Sequence, residues 1–183
     1  MDNLRFIRDT MERATAFTAV SGWGLVGMGV TALLAMVIAA LQPTSLLWLV
    51  TWVSEAALAM SIGYSAIRLK ARIVDVPLPA GPVRRFGLSL APSMIAAALL
   101  TIMLYHAGMV HFLPGLWLLL FGVSVVNAGA FSVRVVPVMG LLFMLDGAVA
   151  LLAPPAWGNW CMGLGFGGLN LVFGLIIARR HGG

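Results

Sequence analysis

Residues 134–155 read RVVPVMGLLFMLDGAVALLAPP. Between Arg134 and Pro154 one side chain, Asp146, carries a charge. A helix needs roughly 20 mostly apolar residues to cross the hydrocarbon core of a bilayer. This run is close to that length, and it is bracketed by a basic residue at one end and prolines at the other. It reads as a membrane crossing, and the rest of the chain repeats the pattern.

Six such runs are present, near 18–41, 46–67, 87–108, 112–132, 134–153 and 157–178. Overall, 61% of residues are hydrophobic and 9% are charged, against roughly 25% charged in a soluble domain. Mean hydropathy is +1.03. The expectation is one all-α transmembrane domain over 1–183, whose solvent is lipid.

The basic residues settle the topology. Arg5, Arg8, Arg13, Arg68, Lys70, Arg72, Arg84, Arg85, Arg134, Arg179 and Arg180 all lie before, between or after the runs. The connections after the first, third and fifth runs contain QPTS, AGMVH and PPAWGN, with no Lys, Arg, Asp or Glu. Six crossings with both ends in the cytoplasm put all 11 basic residues on one side, as the positive-inside rule requires. Five or seven crossings would strand some of them outside. The net charge of +5 therefore reports topology, and nucleic acid is set aside as a partner.

The opening MDNLRFIRDTMERA alternates charges before any apolar run and lacks the pattern of a signal peptide. Leu4, Ile7 and Met11 recur at helical spacing, and Arg5–Asp9, Arg8–Glu12 and Asp9–Arg13 are each four apart. Residues 1–16 are expected to form an amphipathic helix along the membrane interface. The loop RIVDVPLPAGPVRRF, with Pro77, Pro79 and Pro82, is expected to be extended. Trp48, Trp52, Trp117, Trp157 and Trp160 fall toward the uncharged ends, as an outer aromatic belt does, whereas Trp23 falls on the inner half.

Paired in order, the crossings form three hairpins, 22–72, 87–134 and 139–180. GMGVTALLAMVIAALQP and GLLFMLDGAVALLAPP share a rhythm of Gly and Ala ending in proline. With GLLFMLDGAVALLAPPAWGNWCMGLGFGGLNLVFGLIIARR, the last hairpin resembles the HdeD-like acid-resistance membrane proteins of bacteria. The resemblance implies a small inner-membrane protein linked to acid stress, and it brings no catalytic residues with it.

Two acids interrupt the oil: Asp146, and Glu55 within LVTWVSEAALAMSIG. Asp146 is 12 residues from Arg134 and Glu55 is 13 from Arg68, about 18 and 20 Å at ~1.5 Å per residue. The two should lie at one depth, with no Lys or Arg inside the crossings to neutralise them. An ionisable group facing lipid costs roughly 2.5–3.5 kcal/mol on insertion scales, so both are expected to turn inward. They are further expected to lie within reach of each other, directly or through a water, and to share protons. Asn127, Asn170, Tyr64, Tyr105 and His106 are the candidate partners for this ion or proton site. Asn127 and Asn170 would continue a polar track inward. His106 and His111 sit at the outer mouth, where an imidazole can exchange protons. The competing reading is that each acid is neutral and merely packs.

Small residues recur on several faces: Gly163 and Gly167; Ala57, Ser61 and Ser65; Ser124, Ala128 and Ser132; Ser89, Ser93, Ala97 and Thr101. They predict close helix packing. Pro92, inside the third run, is expected to kink it. Cys161 stands alone, so an intrachain disulfide and a cysteine-ligated metal site are excluded. CxxC, HExxH and GxSxG are absent, and no His pair suits a haem. No cofactor and no metal are called for. Three functions stay open: a proton- or cation-responsive transporter or channel-like protein, a structural or accessory subunit binding a membrane protein or a second copy, and, last, a lipid-modifying enzyme.

Overall fold

The structure is a computed structural model describing residues 21–73, 81–129 and 133–180. The interfacial helix expected over 1–16, with Leu4, Ile7 and Met11, lies outside the described residues. So do Pro77 and Pro79 of the proline-rich loop.

Six helices among the described residues are long and apolar enough to span a membrane. They are α1 (Gly22–Ala40), α2 (Ser45–Ile73), α3 (Gly81–His106), α4 (Leu113–Gly129), α5 (Val135–Leu152) and α6 (Pro155–Arg180). The protein is an all-α multi-pass membrane protein. Each helix overlaps one of the six apolar runs. The segment around Pro82 differs from expectation, because α3 already begins at Gly81. Proline fits a first helical turn, where its missing N–H has no partner to lose.

Local chemistry explains the ends. Ser21 caps α1, its hydroxyl accepting from the Gly24 N–H at 3.3 Å, and the Thr44 hydroxyl accepts from the Leu47 N–H at 3.2 Å before α2. Gly108 turns the chain between α3 and α4 with φ 71°, a conformation that suits glycine. Helix α6 is composite. A 3-10 turn, Pro155–Trp157, leads into Gly158–Met162, then a π-helical stretch Gly163–Leu169, then Asn170–Arg180. Four of the seven π-helical residues are glycine.

The packing order is not the hairpin order. Helix α1 packs on α2 and on α6; α5 packs most extensively on α4; α3 lies against α4; and α6 touches α5 and α4. The third hairpin is thus a sequence unit whose two helices find their main partners elsewhere. Glycines decide this. On α4, Gly115, Gly122 and Gly129 recur every seven residues, facing Gly140 and Gly147 on α5. A Cβ on Gly122 would lie 2.7 Å from the Gly140 carbonyl oxygen, and one on Gly147 would lie 2.8 Å from the Leu119 backbone nitrogen. The pair Gly22 and Gly29 on α1 faces Gly167 and Gly174 on α6 in the same way, a Gly174 Cβ lying 2.8 Å from the Val26 nitrogen. A seven-residue repeat keeps one stripe of each helix on its partner. Between helices in lipid there is no hydrophobic drive, so close backbone contact supplies the attraction.

The expected packing role of Gly163 and Gly167 is seen directly: they seat Met36 and Leu33 of α1. Ala57, Ser61 and Ser65 differ, because they lie exposed on α2. Phe121, Phe143 and Phe166 meet at the centre, with ring centroids 4.9 to 5.5 Å apart. Helices α2 and α3 flank the bundle, and no residue of Gly87–His106 in α3 is buried.

Candidate functional site

Both intramembrane acids turn inward. Glu55 is 8% exposed and Asp146 7%. They also share a layer. Gly163 and Gly167 abut Met36 and Leu33, so Gly165, which receives the Asp146 carboxyl, is level with that part of α1. Thr31, the partner of Glu55, is within about one turn of it.

They do not form a pair. Glu55 on α2 meets α1, where the Thr31 hydroxyl lies 2.7 Å from Oε1. The same hydroxyl is 3.0 and 3.2 Å from the Met28 and Gly27 carbonyls, and its one proton serves one acceptor at a time. Asp146 on α5 meets α6. Its Oδ2 would be 2.8 Å from a Cβ on Gly165, and the Cys161 thiol interacts with the carboxyl. The helices α1 and α6, packed on each other, stand between the two acids. The expectation of a shared site is therefore corrected: depth arithmetic was sound, but depth says nothing about which side of a helix pair a residue occupies.

The remaining candidates scatter. Asn170 is buried, 4% exposed, and its Nδ2 donates to the Phe166 carbonyl at 2.8 Å. Asn127 is exposed on α4, which removes it from the inward polar track. Tyr64 is exposed beneath the Arg68 guanidinium, 5.6 Å from the ring centroid, and stays far from the acids. Tyr105 and His106 contact each other edge-on at the uncharged end of α3, 6.0 Å between centroids. His111 lies beside Phe112. The set named from sequence is thus not one site, and of its uncharged members Asn170 alone lies in the buried core.

Sequence reasoning missed four residues. Thr31 and Gly165 matter because of what faces them. Cys161, whose solitude excludes a disulfide and a cysteine-ligated metal site, carries no sequence signal of its place beside the Asp146 carboxyl. The fourth is Asn159, at the uncharged end. Its Oδ1 accepts from the Trp48 and Trp52 indole N–H groups at 3.2 and 3.1 Å, and its Nδ2 donates to the Met36 carbonyl at 2.9 Å. Trp48 stacks on Trp117 at 5.9 Å, and the Trp117 N–H donates to Thr101 at 2.8 Å. Tryptophans that read as a membrane belt thus join α1, α2, α3, α4 and α6. Beside them opens a cleft of about 360 Å³, with Gln42, Thr44, His111 and Asn159 among its walls.

Chemically, the Asp146 site is the least satisfied. Oδ2 has no hydrogen-bond partner among the described residues, and neither has the Asn170 Oδ1. No group of three or more His, Cys, Asp or Glu side chains able to hold a metal ion occurs among them. Compared with known proteins, the chain matches no family model, no curated protein and no solved structure.

Proposed function

We propose that this is a proton- or cation-responsive inner-membrane protein of bacteria, transporter- or channel-like, with Asp146 as its responsive group. One observation carries the reading: a carboxyl oxygen, Asp146 Oδ2, buried between helices against a π-helical glycine segment and without a hydrogen-bond partner among the described residues. Buried polar atoms without partners are uncommon and call for a role, π-helical turns recur at functional sites, and intramembrane acids mark ion and proton pathways. The exposed arginines 68, 72, 134, 179 and 180 share one end of the bundle, and the positive-inside rule puts that end and both termini in the cytoplasm. Glu55 is satisfied by Thr31 and serves to hold α2 on α1. The protein is non-catalytic in this reading, and the resemblance to HdeD-like proteins makes acid stress the natural setting for a responsive carboxyl.

Infrared titration of the purified protein in lipid nanodiscs tests this. A protonated-carboxyl band that is absent in Asp146→Asn, and that comes and goes with pH in the wild type, supports the proposal. A band that persists unchanged from acid to alkaline pH marks a packing acid and refutes it.

The second reading, an accessory subunit, is favoured by α3, in which no residue of Gly87–His106 is buried against the other described residues. A photo-crosslinker at Leu99, exposed on α3, would capture a membrane protein or a second copy if that face is covered, and lipid alone if it is not.

A further inference from the structure

Asp146 Oδ2 and Asn170 Oδ1 are both buried, both acceptors and both without a partner among the described residues. The amide of Asn170 cannot turn to donate instead, because its Nδ2 is held by the Phe166 carbonyl and Oδ1 is the end left over. The two residues stand on adjacent antiparallel helices. Side chains lean toward the N-terminus of their own helix, so Asp146 leans toward the arginine end and Asn170 leans back toward Gly165. The π-helical stretch Gly163–Leu169 adds to this. In an α-helix, positions 165 and 170 point about 140° apart; a turn closed from i to i+5 brings them toward one face. Gly165 meanwhile leaves the room in which the carboxyl sits, since a Cβ there would strike Oδ2.

We infer that Asp146 and Asn170 together hold a small monovalent cation, hydronium or Na⁺, between α5 and the π-helical turn of α6. The inference rests on the reading of Asp146 as the responsive group and names its ligand. An acceptor-only pair with one formal charge suits a guest that brings one positive charge or donates protons. A divalent ion wants six or more oxygens and usually several carboxylates. Glu55 is excluded by its bond to Thr31. Around the carboxyl, Cys161 of α6 is the titratable neighbour; α1, α4 and the rest of α5 carry no Asp, Glu, Lys, Arg or His.

The experiment uses the full chain in nanodiscs and follows the Asp146 carboxyl band against pH in choline chloride, then against NaCl at fixed acidic pH. Loss of the band on adding Na⁺ identifies a metal-ion guest; a pH-dependent continuum absorption of protonated water with Asp146 still ionised identifies hydronium; a carboxyl band that answers pH alone marks a proton bonded to Asp146 itself and overturns the cation. Asn170→Leu removes the second oxygen, and a bond to a charged partner is strong. The expected effect is about a tenfold weaker response in whichever titration the wild type shows. Asn170→Asp keeps the shape, adds a charge and is expected to tighten the Na⁺ or proton response about tenfold. Wild-type titrations in both variants overturn the pairing while leaving Asp146 as the responsive group. A wild-type band that answers neither pH nor Na⁺ overturns both.

Discussion

Gly140→Ala is the sharpest test of what holds the bundle together. A Cβ at Gly140 would sit 2.7 Å from the Val126 backbone nitrogen and 2.8 Å from the Gly122 carbonyl oxygen. Ordinary contact begins near 3.4 Å, so the methyl is about 0.7 Å too close to backbone that cannot rotate away. Helices α4 and α5 must separate along the whole glycine seam, because Gly115, Gly122, Gly129 and Gly147 share it. Overpacking of this kind costs typically 1–3 kcal/mol. Two controls fix the sign. A Cβ at Gly87 meets nothing within 4 Å, and one at Gly168 meets Leu164 Cδ1 at 3.5 Å, an ordinary contact. There the helix propensity of alanine should prevail and stabilise by up to about 1 kcal/mol. Equilibrium unfolding in mixed SDS and lipid micelles, followed by tryptophan fluorescence, reads all three. Equal stability changes for Gly140→Ala and Gly87→Ala would refute the claim that backbone approach at this seam drives the fold.

Three further outcomes are expected. Thr31→Val and Glu55→Leu, each of which removes the bond, should show coupling of about 0.6–1.7 kcal/mol in a double-mutant cycle, the range for polar pairs between membrane helices; additive effects would remove the latch between α1 and α2. Asn159→Leu leaves the indole N–H groups of buried Trp52 and half-buried Trp48 without their acceptor and should cost about 1–3 kcal/mol, with a changed tryptophan emission spectrum; unchanged emission would show that the network is incidental. Thr44→Cys should label with an impermeant maleimide from outside intact cells and Arg180→Cys should not, in a Cys161→Ala background, and the reverse pattern would invert the topology.

Much of the architecture was written in composition and spacing. Asp146 alone in an apolar run, arginines confined to alternate connections and loops such as QPTS without charge each reflect the cost of placing charge in lipid. That cost acts on every residue separately, so it is legible one residue at a time. The inward turn of Glu55 and Asp146 and their common depth follow from the same term and from the helical rise. What lay beyond the sequence is which helix faces which. Gly140 and Gly147 announce a small face without naming Gly115 and Gly122 as its partner, and α5 pairs with α4 where the repeat suggested α6. Whether the two acids meet depended on α1 and α6 packing between them, and whether Asn127 or Asn170 joins the core depended on which side of its helix each falls. The pairing of Asp146 with a π-helical glycine, and of Trp48 and Trp52 with Asn159, arises from contacts more than 15 residues apart along the chain. Lipid is indifferent to the choice among apolar faces, so that choice is made by shape complementarity between distant segments, and only the tertiary structure expresses it.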